Sequence, residues 1–142
     1  MILYILDTDI FSMWLENHPS VCQRVVANKT NLAITIVTVQ EVFNGWISRL
    51  NDPAAANQQV KFYGKLSNVI SFLRDVTVLD FDEDAEQIFK QMLNQNAALR
   101  RKRVERDMRI AAIALTYDAI LVTRNHRDFS PVPNLNLEDW SI

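Results

Sequence analysis

Cysteine occurs once in the 142 residues, at Cys22, so the chain can close no internal disulfide. Histidine is almost as scarce, and no Cys/His cluster has zinc-ligand spacing. His18 and His126 lack a paired nucleophile and are assigned no catalytic role. A long apolar run is also missing. The first one, residues 1–6, is too short to span a membrane, has no basic residues before it and stops at an acid, unlike a secretory signal. No targeting segment is expected, and a reducing cytoplasm suits the chain. With 15 basic and 17 acidic residues the charge balance does not announce a nucleic-acid binder, so any anion recognition must be local. Repeats and low-complexity tracts are absent. What the chain does have is 49% hydrophobic residues, enough for one core without disulfides or a structural metal, in a length that fits one domain spanning residues 1–142.

Residues 2–6 form a continuous apolar run bounded by Asp7-Thr8-Asp9, as expected for a strand buried on both faces of a parallel sheet. A helix is expected next. Residues 32–39 are a second strand-like run, leading into Thr38-Val39-Gln40-Glu41, a capping-box pattern that opens a helix reaching about Leu50. Val60, Tyr63, Leu66, Ile70 and Leu73 recur at helical spacing and predict one long amphipathic helix over 54–73. A third strand is expected at 76–79, a helix from Asp82 to roughly Leu99, and another from Asp107 to about Tyr117. Residues 120–123 read as a fourth strand and 135–137 as a short edge strand. Strands alternating with helices imply an α/β fold, with a parallel sheet of four to five strands, helices on both faces and ligands beyond the carboxyl ends of the strands.

That rule draws attention to the acids. Asp7 follows the first strand, Glu41 the second and Asp128 the fourth. Asp107 joins them at the same edge if its helix runs antiparallel to the fourth strand. Each acid has an ordinary explanation: Asp7 as a turn former or N-cap, Glu41 as the third residue of a capping box, Asn125 and Asp128 as turn residues. Gly45 and Ser48 lie on the same helical face as Glu41, and a mid-helix Gly costs roughly 1 kcal/mol relative to Ala, which points to a close approach there. Asp107 precedes Ile110, Ala111, Ala114 and Leu115 on the buried face of its helix, where an unpaired carboxylate is expensive. Four converging carboxylates would raise one another's pKa values unless a cation neutralised them. Oxygen-only ligands favour Mg²⁺ or Mn²⁺, ions commonly shared with substrate phosphate.

Six basic residues, Arg100, Arg101, Lys102, Arg103, Arg106 and Arg109, surround the turn that introduces Asp107. They read either as a solvated charged loop or as a surface for a polyanion's phosphates, extended by Arg124 and Arg127. Trp14, Trp46 and Trp140 are expected in the core or at an interface rather than stacked on bases.

These segments resemble the PIN-domain ribonucleases, specifically the toxin members of bacterial VapBC toxin–antitoxin systems. The resemblance spans nearly the whole chain and rests on LDTDI at 6–10, TVQEVFNG at 38–45, DMRIAA at 107–112, LVTRNHRDF at 121–129 and LEDW at 137–140. It implies a Mg²⁺- or Mn²⁺-dependent endoribonuclease, inhibited by a cognate antitoxin that inserts its tail into the site, and a homodimer. Carried over by position, the acidic quartet maps to Asp7, Glu41, Asp107 and the Asn125/Asp128 segment, with Thr8 and Thr123 as neighbours. Many relatives have Asp where this chain has Asn125, so the fourth position falls either to Asn125 or to Asp128. Arg100, Arg101, Arg103, Arg106 and Arg124 are the expected RNA contacts, and the helical region 51–73 the expected surface for dimer or antitoxin. Two other readings stay open: a non-catalytic module binding RNA or antitoxin, and a haloacid-dehalogenase-type phosphatase, whose nucleophile motif Asp7-Thr8-Asp9 resembles.

Overall fold

The computed structural model describes residues 1–142. Its five strands are β1 (Tyr4–Leu6), β2 (Leu32–Thr35), β3 (Thr77–Leu79), β4 (Ile120–Val122) and β5 (Asn136–Glu138). All pairings are parallel, in the order β3-β2-β1-β4-β5. Tyr4 of β1 lies opposite both Leu32 and Ile120, so the first strand occupies the centre. The chain builds outward from β1 through β2 to β3, then returns to β1's other side for β4 and β5. Such a reversal opens a crevice beyond the carboxyl ends of β1 and β4.

Seven α-helices cover the sheet: α1 (Thr8–Leu15), α2 (Pro19–Ala27), α3 (Ile36–Leu50), α4 (Gln59–Leu73), α5 (Glu83–Gln95), α6 (Glu105–Thr116) and the single turn α7 (His126–Phe129). Successive strand residues face opposite ways, which divides the core in two. Ile5, Ala33 and Leu121 pack with α5 and α6, through Met92, Met108 and Ile110–Ala114. Leu6, Ile34 and Val122 pack with α1 to α4, through Phe11, Val21, Val42 and Val69. Trp140 is fully buried on this second face, tilted against Tyr4. Trp14 packs edge-on against Phe11 and Phe72.

Four local expectations are corrected. The second strand stops at Thr35 because Thr35, not Thr38, caps α3, its hydroxyl accepting from the Thr38 N–H at 3.1 Å. Residues 53–58 form a 3₁₀ segment, with α4 beginning only at Gln59. Helix α5 stops at Gln95, followed by a separate 3₁₀ turn at Ala97–Leu99. Nothing approaches Gly45: a Cβ built there, or at Gly64, meets no atom within 4 Å. No helix is long and apolar enough to cross a membrane.

Candidate active site

Asp7 ends β1 and caps α1, its Oδ1 accepting from the Ile10 N–H at 2.9 Å. Its other oxygen, Oδ2, accepts from the Thr123 hydroxyl at 2.6 Å, just beyond the neighbouring strand β4. The capping role is therefore real and leaves the acid at the crevice. Burial pushes Asp7 up to about 6, with the charges of Asp9 and Glu41 adding to the effect and the two hydrogen bonds opposing it.

Glu41 sits in the second turn of α3, so it caps nothing. Its Oε1 accepts from the Thr8 hydroxyl at 2.6 Å, and Arg106 Nε stands 3.6 Å from Oε2. Thr8 and Thr38 hydroxyls are 3.0 Å apart. A threonine has one proton to give, and Thr8 gives its to Glu41, so Thr38 is the donor in that pair.

Asp107 lies in the first turn of α6, which runs back against the sheet and brings its start to the carboxyl edge. Burial pushes it up to about 6, reinforced by Glu41, Asp7 and Asp128, with Arg103 opposing and no hydrogen bond offsetting the shift. Asp128 behaves oppositely. Hydrogen bonds from Arg103 and Asn125 hold its carboxyl well below the usual range. Asn125 caps α7, accepting from the Asp128 N–H at 3.3 Å.

These groups line one cleft of about 730 Å³ that has no apolar residue in its wall. Asp7, Thr8, Glu41, Asp107, Asn125 and Asp128 all border it, together with Arg103, Arg124 and Arg127. Thr123 is buried behind Asp7 rather than lining it. Arg100 and Arg101 lie elsewhere. Arg100 bonds the carbonyls of Leu93 and Asn94 at the end of α5, Arg101 bonds that of Ala98, and both border a separate small cavity. The sequence reading missed Asp9, which lines the cleft and is ion-paired with Arg124. It sits in the first turn of α1, where an acid also complements the helix dipole, and its sequence position pointed to no role beyond the end of the first strand and the Asp7-Thr8-Asp9 motif. Thr38, fully buried beneath Thr8, was also missed as a site residue.

As the side chains stand, no three His, Cys, Asp or Glu groups are close enough together to chelate an ion. The donor chemistry nonetheless fits a hard divalent cation. Asp7, Glu41 and Asp107 supply oxygen only, and Asp7 and Asp107 are raised by burial and by neighbouring negative charge, a penalty a cation would relieve.

The PIN domain family matches residues 4–135. The tRNA(fMet)-specific endonuclease VapC of Shigella flexneri is 31% identical over 142 residues, covering 99% of this chain and all of the relative. Ribonuclease VapC2 of Rickettsia felis is 25% identical, covering 97% and 98%. Among solved structures, DNA-bound VapBC from Salmonella typhimurium superposes with a TM-score of 0.78 at 25% identity, over 99% of both chains. VapBC-1 from nontypeable Haemophilus influenzae, at 22% identity, shares the fold with a TM-score of 0.75 over 99% and 100%. The phosphatase reading of Asp7-Thr8-Asp9 is thereby set aside. Full-length coverage, sheet order and the acids at the strand ends agree: the chain belongs to the PIN domain family.

Proposed function

We propose that the protein is a metal-dependent endoribonuclease, the toxin of a VapBC-type pair, hydrolysing RNA phosphodiester bonds with an activated water. The observation that carries this reading is the wholly polar cleft into which β1, α3 and α6 bring Asp7, Glu41 and Asp107. A magnesium or manganese ion held by Asp7 and Asp107 would supply a bound water of lowered pKa and stabilise charge on the phosphoryl oxygens. Glu41, oriented by Thr8, is the group that aligns the attacking water and takes its proton. Arg103, Arg106 and Arg124, which pair with Asp128, Glu41 and Asp9 respectively, hold the RNA backbone without reading its bases. Arg100 and Arg101 are left to steer RNA from outside the cleft.

The relatives' names guide the choice of substrate and partner. tRNA(fMet) is the first RNA to test, given the Shigella flexneri relative. A cognate antitoxin is the expected inhibitor in the cytoplasm, since the Salmonella typhimurium structure is of a VapBC complex. Its segment would dock in the cleft of about 430 Å³ between α1, α3 and α4, walled by Leu15, Val42, Trp46, Val69 and Phe72. A second copy of the chain would cover the outer, apolar face of α4. The deciding experiment is cleavage of total RNA and tRNA(fMet) with Mg²⁺ or Mn²⁺, with EDTA, Asp7→Ala and Asp107→Asn as controls. Cleavage should need the metal and both acids; metal-independent cleavage, or full activity in both variants, sinks the reading.

A further inference from the structure

Asp128 differs from the other acids of the cleft in how its oxygens are used. It is 4% exposed, yet both oxygens are engaged within the chain. Arg103 Nη1 and Nη2 donate to Oδ2 and Oδ1, each at 3.0 Å, a two-pronged pairing. Asn125 Nδ2 donates to Oδ2 at 2.9 Å, and Arg127 Nε stands 3.5 Å from Oδ1. With positive charge on both sides, this carboxylate has little to gain from a cation. Asp7 and Asp107 sit among other carboxylates and have much to gain.

The other half of the pair is Arg103. A guanidinium carries five N–H donors in one plane. Two face Asp128, and the side chain remains half exposed where it borders the cleft. A free arginine side chain loses rotamer entropy when it grips an anion, whereas one already fixed by a buried carboxylate loses less. We propose that Asp128 is a positioning residue rather than a metal ligand: with Asn125 it holds Arg103 as an oriented clamp for a phosphate oxygen of the substrate. A metal ion would then be held by Asp7 and Asp107, with Glu41 beside them and Asp128 outside its ligand set. This rests on the nuclease reading of the cleft and assigns its parts differently.

The test separates metal from RNA. Mn²⁺ binding to the protein alone, by calorimetry, should fall more than about tenfold in Asp107→Asn and change by less than about threefold in Asp128→Asn. Binding of a non-cleavable RNA in EDTA, by fluorescence anisotropy, should weaken about tenfold in Asp128→Asn and in Arg103→Met, with the double variant no worse than either single. The magnitude of the log–log salt slope should drop by about 0.7 in each, as for one lost phosphate contact. Arg103→Met leaves a buried charge unpaired, so Arg103→Lys serves as the folding-safe variant. It keeps the charge and one hydrogen bond, should bind Mn²⁺ like the wild type, and should still lose RNA affinity because the fork is gone. Loss of Mn²⁺ affinity in Asp128→Asn equal to that in Asp107→Asn overturns the proposal, as do additive losses in the RNA arm. A wild type that neither binds nor cleaves RNA with Mn²⁺ present would refute the nuclease reading, while the Mn²⁺ arm still decides whether Asp128 is a ligand.

Discussion

The Thr123 hydroxyl donates to Asp7 Oδ2 at 2.6 Å across 116 positions of sequence, joining the ends of the two central strands. Thr123 in turn accepts from the Asn125 N–H at 2.9 Å, so its proton is committed to Asp7. This bond lowers Asp7's affinity for a proton, against the burial that raises it. Thr123→Val should move Asp7 further above about 6 and shift the acid limb of the cleavage pH profile upward. Activity at pH 7 should fall by about 10–100-fold. Thr123→Ser should keep both. An unmoved acid limb in Thr123→Val would show that Asp7 does not control it.

The raised acids also set how stability depends on pH. Asp7 and Asp107 bind protons more tightly folded, near 6, than unfolded, near 3.8. The stabilisation this brings is complete below about pH 4 and lost as pH rises through about 6. Because the two acids interact, they titrate as a pair, and the window belongs to both. In EDTA, Asp107→Asn should therefore gain thermal stability over the wild type as pH rises from about 4 to 7. Adding Mg²⁺ at pH 7 should reverse the order. Asp128 runs the other way, its contribution present at neutral pH and lost on acidification. Melting curves across this range check the sign; a difference between the two proteins that ignores pH would contradict it.

Glu41 can be separated from the start of its helix. Thr35→Ala removes the cap of α3 and should cost about 1 kcal/mol of stability with catalysis intact once folded. Glu41→Gln removes no cap, so it should melt near the wild type while cleavage falls about 10²–10⁴-fold. Thr8→Val should lose part of that activity by freeing the Glu41 side chain. Equal damage to stability by Glu41→Gln and Thr35→Ala would restore a structural role for Glu41.

The mistaken assignment of that cap shows where sequence patterning reached its limit. Thr35 and Thr38 are both threonines three residues before a polar or capping-compatible position, and local pattern cannot choose between them. Tertiary pairing chooses, because β2 extends only as far as Thr35 pairs with Leu79 of β3. The apolar run of β1 and the buried face of α6 were legible because burial on both sides leaves little freedom in residue type. So were Asp7 and Asp107, which follow directly from those elements. Asp128 was legible as an acid at the right edge but not as Arg103's partner, since that pairing joins segments 25 positions apart. Arg100 and Arg101 look like Arg103 in sequence, and only the turn at Lys102–Val104 sends them away from the cleft.

The apolar pattern of α4 carries the last prediction. Phe62 and Val69 face the core, while Val60, Tyr63 and Ile70 lie away from it on the solvent-facing part of the helix, 90%, 59% and 48% exposed. A helix with apolar residues on its outer face as well as its inner one has surface that its own chain leaves uncovered. In a two-fold dimer the same helix meets itself, so one pair of substitutions alters both sides of the interface. Val60→Glu with Tyr63→Glu should leave the melting of the dilute monomer unchanged and place like charges across that contact. Light scattering after size exclusion should show a dimer for the wild type and a monomer for the double variant. RNA binding by the variant should persist, because α4 supplies no residue to the acidic cleft. A wild type that is monomeric at every concentration, or a variant that still dimerises, removes this face as the contact between copies.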